Sequence, residues 1–167
     1  VKALDVIEEF GSKIRYVLDG GKCKIGVEST IINLLNKPTL LRFGGLDILE
    51  IEKILKKKII IKINSKKNIA PGQFPLHYSP GIPLRMNVKK PKNNEAYVLV
   101  KKRKNTFKNS YYLSKKNNLR ESAKNLYSLL RKIKKDGYRM IAVEKIENKG
   151  IGKTINDRLK RASNFKW

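Results

Sequence analysis

The second half of the chain sets the tightest limit on its fold, because a long amphipathic stretch there is bracketed by strand-like runs. From Leu119 to Lys134 the apolar residues Leu126, Leu129, Leu130 and Ile133 recur at helical spacing, whereas Ala96–Val100, Ser110–Leu113 and Tyr138–Val143 are short β-branched or aromatic runs. Parallel strands need a crossover between them and a helix usually provides it, so this alternation predicts parallel βαβ units. Gly152 to Ser163 predicts a final helix.

The first sixty residues carry a similar but weaker pattern. Val1 to Ile14, with Leu4, Ile7 and Ile14 on one side, predicts the end of an amphipathic helix, and Tyr16-Val-Leu18 a short strand stopped by Asp19-Gly20-Gly21. Val27 to Leu34 and Thr39 to Arg42 read as two paired strands, Leu46 to Leu55 as a helix with Asp47 and Glu50 near its start, and Ile59 to Ile63 as a further strand. Between the halves lies Ala70-Pro-Gly-Gln-Phe-Pro-Leu-His-Tyr-Ser-Pro-Gly-Ile-Pro-Leu84, which holds the single histidine and four of the 6 prolines. The expected division is therefore 1–64, a proline-rich linker over 65–93, and a second domain over 94–167.

Composition narrows the classes of function. The apolar runs fall far short of a membrane span, no signal-peptide pattern opens the chain, and a cytoplasmic location without membrane contact is the default expectation. One cysteine, Cys23, excludes an internal disulfide, and one His with one Cys is too few for a structural zinc site. A net charge of +25 has two readings, a polyanion-binding face or a lysine-coated surface, since lysine far outnumbers arginine along the whole chain. Phe107, Tyr111 and Tyr112, near Lys101-Lys-Arg-Lys104, could stack on bases or pack a core.

No Ser/His/Asp arrangement, paired-carboxylate site or metal-ligand cluster stands out, and no catalytic residue or metal ligand is assigned. Gly150-Ile-Gly-Lys-Thr154 imitates a phosphate loop, but the position of its first glycine is Glu147, so the glycines read as a turn before the last helix. Glu28-Ser29-Thr30 followed across a turn by Arg42 is more informative. On paired strands these side chains can converge, and hydroxyl donors beside a guanidinium fork suit a carboxylate or a polyphosphate. The same residues could equally be structural.

Taken in order, GGKCKIGVESTIINL, PTLLRFGGLDILEIEKIL and APGQFPLHYSPGIPL resemble the back half of the Sua5/YrdC/YciO family, the L-threonylcarbamoyladenylate synthases. That family reads DGG-x-x-x-x-G-x-E-S-T-x-x-D, then P-x-x-L-R-P-G, then, in the Sua5 type, S-P-G-M-x-x-x-H-Y-x-P. The stretch from Leu119 to Ala162 resembles the end of the Sua5 domain, with its G-x-G-x-A-x-x-x-R-L-x-x-A segment. Asn33 stands where the family has Asp, and Phe43 where it has Pro.

The resemblance implies an α/β fold, the C-terminal part of a YrdC-like twisted mixed sheet followed by a small Rossmann-like Sua5 domain. It implies an enzyme that converts ATP, L-threonine and bicarbonate into threonylcarbamoyl-AMP and pyrophosphate with Mg2+ present, for modification of adenosine 37 of tRNA by downstream threonylcarbamoyl-transferase proteins. Carried onto this chain, Ser29 lies on the threonine side, and Arg42 and Tyr78 contact ATP, with Thr30 and His77 as neighbours of second rank. The family's front half, with a K-x-R phosphate-binding motif and a P-S-A-N-x-S-G segment, precedes the part matched here. The expectation is a C-terminal piece or one member of a split pair, inactive without that half. A non-enzymatic basic RNA-binding module is the alternative. A carbamoyl-transfer domain of hydrogenase maturation is a weaker one, because that family lacks the HYSP linker and the Sua5 tail.

Overall fold

Asn118 starts the helix that organises the second half: its Oδ1 accepts hydrogen bonds from the Arg120 and Glu121 amides at 2.8 and 3.1 Å. The helix, α3 (Leu119–Lys135), ends with Lys132, Lys134 and Lys135 in its last turn, where the dipole favours cations. Its buried stripe is Ala123, Leu126, Leu130 and Ile133, with Leu129 half-buried beside it. The computed structural model describes residues 2–63, 70–72, 74, 79–104 and 107–164.

That stripe packs on a four-stranded sheet made of β4 (Leu84–Arg85), β5 (Glu95–Lys101), β6 (Ser110–Ser114) and β7 (Met140–Val143). The strands run in the order β4-β7-β5-β6, and every pairing is parallel, as the strand–helix alternation predicts. Ala96, Val98 and Val100 of β5 face α3 and α4 (Gly152–Ala162), while Tyr97 and Leu99 pack with Ala142 on the opposite face. Burial on both faces explains why β5 reads as a continuous apolar run.

Strand β4 falls inside the stretch expected as linker. Two residues are too few to show periodicity, and what fixes the strand is charge. Arg85 reaches past β7 and forks onto the fully buried Glu95, Nε to Oε1 at 2.7 Å and Nη2 to Oε2 at 2.8 Å, while the Lys92 amide donates to the same carboxylate. Arg85→Ala would leave that carboxylate buried with a single partner. The expected loss is about 2 kcal/mol in urea unfolding, below the full cost of breaking a buried pair because Arg85 itself is partly exposed.

The first sheet is mixed: β1 (Ile31–Asn33) pairs antiparallel with β2 (Thr39–Arg42), and β2 pairs parallel with β3 (Ile60–Ile61). Helix α2 (Ile48–Leu55) makes the crossover, capped by Asp47, whose Oδ1 accepts from the Leu49 amide at 3.1 Å. Leu40, Ile48 and Ile59 form a small core with Ile32, Phe43, Ile51 and Leu55 around it. Helix α1 (Ala3–Phe10) is followed by a 3-10 turn over Gly11–Lys13 and ties to α3 through Asp5–Arg131 and Glu8–Lys135. Leu4, Ile7 and Phe10 stay exposed.

Three expected strands differ in the structure, the one expected over Ile59–Ile63 being reduced to β3. Tyr16–Leu18 forms none, and the Tyr16 and Leu18 side chains are 88% and 97% exposed. A strand exists only where its backbone finds a ladder partner, and propensity alone does not supply one. The strand expected over Val27–Leu34 shrinks to β1, with a register shift between Ile31 and Ile32, because Glu28–Thr30 bonds elsewhere. The aromatic residues near the basic run are engaged in packing: Tyr111 meets Tyr138 edge-on at 5.7 Å, Phe107 meets Tyr97 at 5.7 Å, and Tyr112 packs beside Leu99. No helix among the described residues is long and apolar enough to cross a membrane.

Candidate functional site

The Glu28–Thr30 segment leaves the sheet to lie against the loop that follows β2. The Gly45 amide donates to the Glu28 carbonyl at 2.8 Å, and the Thr30 hydroxyl donates to the Leu46 carbonyl at 2.7 Å. Gly44 makes this approach possible, since a Cβ there would stand 2.1 Å from the Ser29 carbonyl carbon and the Thr30 nitrogen. Sequence adjacency puts Ser29 and Thr30 side by side, but the structure gives them different tasks. Thr30 is bonded to the loop, whereas Ser29 is exposed.

Arg42 closes the site. It is only 9% exposed, and its Nε and Nη2 donate to the Ser29 carbonyl at 3.1 and 3.0 Å. Nη2 also lies 3.2 Å from Ser29 Oγ, and Nη1 donates to the Pro71 carbonyl at 3.1 Å. Ser29 and Arg42, expected to converge, do so, and the proline-rich stretch reaches them through Pro71. His77 and Tyr78 lie outside the described residues.

Every described partner of Arg42 is a neutral oxygen. A guanidinium held by neutral acceptors keeps its full positive charge for a ligand, and these bonds leave at least one of its five N–H donors for that ligand. Arg158 of α4 is the contrast. It is 1% exposed, and its Nε donates to Glu28 Oε2 at 3.0 Å, its Nη1 to the Asp157 carboxylate and its Nη2 to the Phe43 carbonyl at 2.7 Å. Its charge is matched within the protein.

Burial by itself pushes the Glu28 carboxyl up, but the Arg158 charge, a backbone N–H and hydrogen bonds from Arg158 and Tyr127 outweigh it and hold the group below the usual glutamate range. A depressed carboxyl stabilises the fold above its unfolded value of about 4.3. That contribution is lost as the pH falls through the still lower folded value. Thermal melts between neutral pH and pH 3 should therefore show a gentler acid decline for Glu28→Gln than for the parent.

Beyond Phe43 a cleft of about 620 Å³ is lined by Ile63, Met86, Lys145, Lys153 and Lys160, among others. Its one carboxylate, Asp157, is bonded to Arg158 and Arg161, so the cleft is cationic. Among the described residues no group of three or more His, Cys, Asp or Glu side chains could hold a metal ion.

The sequence pattern brought Glu28 forward together with Ser29 and Thr30 but gave it no partner, and it did not bring forward Tyr127 or Arg158. A signal was present for the last of these. Thr154, Ile155, Arg158, Leu159 and Ala162 recur at the spacing of a buried helical face, and an arginine within such a face must have partners.

A profile described as "Threonylcarbamoyl-AMP synthase, C-terminal domain" matches residues 47–164. The chain belongs to the Sua5 family. A second profile, described as "Telomere recombination", matches residues 1–44. The threonylcarbamoyl-AMP synthase of Pyrococcus abyssi is 33% identical over 96% of this chain and 53% of its own length. The Bacillus subtilis protein of that name is 27% identical over 97% of the chain and 52% of its own length. A crystal structure of P. abyssi Sua5 complexed with L-threonine superposes with a TM-score of 0.82 at 31% identity, covering 98% of this chain and 53% of that one. A variant of P. abyssi Sua5 altered to alanine at a histidine and the following tyrosine gives a TM-score of 0.72 at 28% identity, over 99% and 51% of the two chains. The chain thus spans about half the length of the Sua5 relatives it matches.

Proposed function

We infer that this chain supplies part of the active site and the C-terminal domain of a threonylcarbamoyl-AMP synthase. In this reading residues 1–64 complete a YrdC-like domain, 65–93 form a strap over its site, and 94–167 form the Sua5 domain. The substrates are ATP, L-threonine and bicarbonate. The product serves adenosine 37 of tRNA through separate threonylcarbamoyl-transferase proteins. The observation that carries the reading is Arg42, buried beside Ser29 with only neutral oxygens around it among the described residues.

The chemistry follows from that charge. A carbamate oxygen of N-carboxylated threonine attacks the α-phosphorus of ATP, the bond from that phosphorus to the bridging oxygen breaks, and pyrophosphate leaves. Negative charge builds on phosphate oxygens, so a fixed guanidinium lowers the barrier without an acid/base pair. Ser29, exposed and steered by Arg42, binds threonine. Mg2+ would ride on the nucleotide phosphates and neutralise part of their charge, since the described residues gather no carboxylate cage for it. The L-threonine held by the P. abyssi protein supports threonine as the ligand. This chain's one histidine precedes a tyrosine, His77-Tyr78, the same pair of residue types that was altered in the P. abyssi variant. In the reading offered here that pair closes over the nucleotide.

The chain is expected to be inactive unless a front half is supplied, from the same polypeptide or a separate one. The test joins it to the coding region upstream, or to the front half of a relative, and measures pyrophosphate release from ATP. Release that requires both threonine and bicarbonate is the expected result. RNA binding by the chain as it stands, with affinity falling steeply against salt and no such release, would favour the basic-module reading instead.

A further inference from the structure

The best-paired part of the site comes from the other domain. Arg158 spans the two segments that carry Ser29 and Arg42, gripping the Glu28 carboxylate with Nε and the Phe43 carbonyl with Nη2. One turn earlier on α4, the Thr154 hydroxyl donates to the Gly44 carbonyl at 2.8 Å. From α3, the Tyr127 hydroxyl donates to the Glu28 carboxylate at 3.2 Å, and the Lys124 backbone packs where Gly26 leaves room, 2.5 Å from a hypothetical Cβ. The contacts continue to the strap: Asp157 joins Arg158 to Arg161, whose Nη1 donates to the Phe74 carbonyl at 3.0 Å. Arg42 meets the strap from the opposite side, at Pro71.

Contacts therefore run from Ser29 and Arg42 to Pro71 on one side, and from Glu28 through Arg158, Asp157 and Arg161 to Phe74 on the other. The segment bearing Ser29 and the loop after Arg42 are held against each other by the Gly45 to Glu28 backbone bond and by side chains of α4. We propose that Arg158 and Thr154 are positioning residues through which the Sua5 domain sets the distance between Ser29 and Arg42. Arg158 acts through Glu28 and Phe43, and its planar fork matches a carboxylate and a carbonyl that a lysine ammonium cannot span together. The catalytic consequence rests on the function proposed above, but the positional coupling does not.

The test uses two variants. Arg158→Lys keeps the charge and removes the fork, while Thr154→Val keeps the volume and removes the bond to Gly44. In this chain, hydrogen exchange at the Gly45 amide should quicken by about tenfold or more in each, with the Val98 and Ala142 amides of the central sheet unchanged. In the protein with its front half restored, kcat/KM for threonine should fall about fivefold or more, because a mis-set site loses both binding and chemistry. Should Arg158→Lys fail to fold, Thr154→Val decides alone. The proposal is overturned if Gly45 exchanges as in the parent, or if it quickens only as much as Val98 and Ala142 do, the mark of general destabilisation. If the parent protein shows no threonine-dependent reaction, the functional reading fails while the exchange result still judges the coupling.

Discussion

Arg42→Ala, introduced into the protein with its front half restored, is expected to lower threonine-dependent pyrophosphate release by about 100- to 1,000-fold, the range seen when one preorganised charge-stabilising donor is lost. The loss should lie chiefly in kcat, because the guanidinium matters most where charge grows on the phosphate. Arg42→Lys should recover little. Two of the arginine's nitrogens share the Ser29 carbonyl while a third reaches Pro71, and a single ammonium cannot hold both positions. A purely structural arginine would give a different pattern: lower thermal stability, with the activity of the remaining folded protein unchanged.

Gly44→Ala is the second large effect, and it acts through geometry. The added Cβ would meet backbone atoms of Ser29 and Thr30 at 2.1 Å, and backbone cannot swing aside as a side-chain end can. The Glu28–Thr30 segment must then lift from the loop, which breaks the Gly45 to Glu28 and Thr30 to Leu46 bonds. Overpacking together with two lost hydrogen bonds costs roughly 4 kcal/mol, and for a chain of this size the melting temperature should fall by about 10 °C. Activity should drop to background even where the variant folds, since Ser29 and Arg42 no longer face one site. Gly44→Ala with parent-like stability and activity would refute the description of these two segments as closely stacked.

The sequence made the parallel sheet legible because α3 is long and strongly periodic and β5 carries an unbroken apolar run over Ala96–Val100, so the helix and strand periods differ clearly. It misled at Tyr16–Leu18, where residue preference suggests a strand but pairing decides, and at Glu28–Thr30, where close contacts at Gly44 outweigh β propensity. That Ser29 and Arg42 meet was legible because a short turn brings their segments together. The pairing of Glu28 with Arg158 was hidden by separation along the chain, although each stands within a family pattern. An ion pair between residues 130 positions apart leaves no local trace except an arginine where a helix should be apolar. The proline-rich stretch was plain in the sequence, but β4 within it was not, since its place depends on Arg85 reaching a carboxylate beyond its neighbouring strand.

The central claim, that Ser29 and Arg42 of this chain help to form a threonylcarbamoyl-AMP site, is tested most directly by identifying the product. The protein with its front half restored is incubated with ATP, L-threonine and 13C-labelled bicarbonate, and the nucleotides are resolved by mass spectrometry. An AMP species that carries threonine and one labelled carbon is expected with the parent and not with Arg42→Ala. Unlabelled nucleotides alone, or a labelled adduct formed equally well with Arg42→Ala, would contradict the claim.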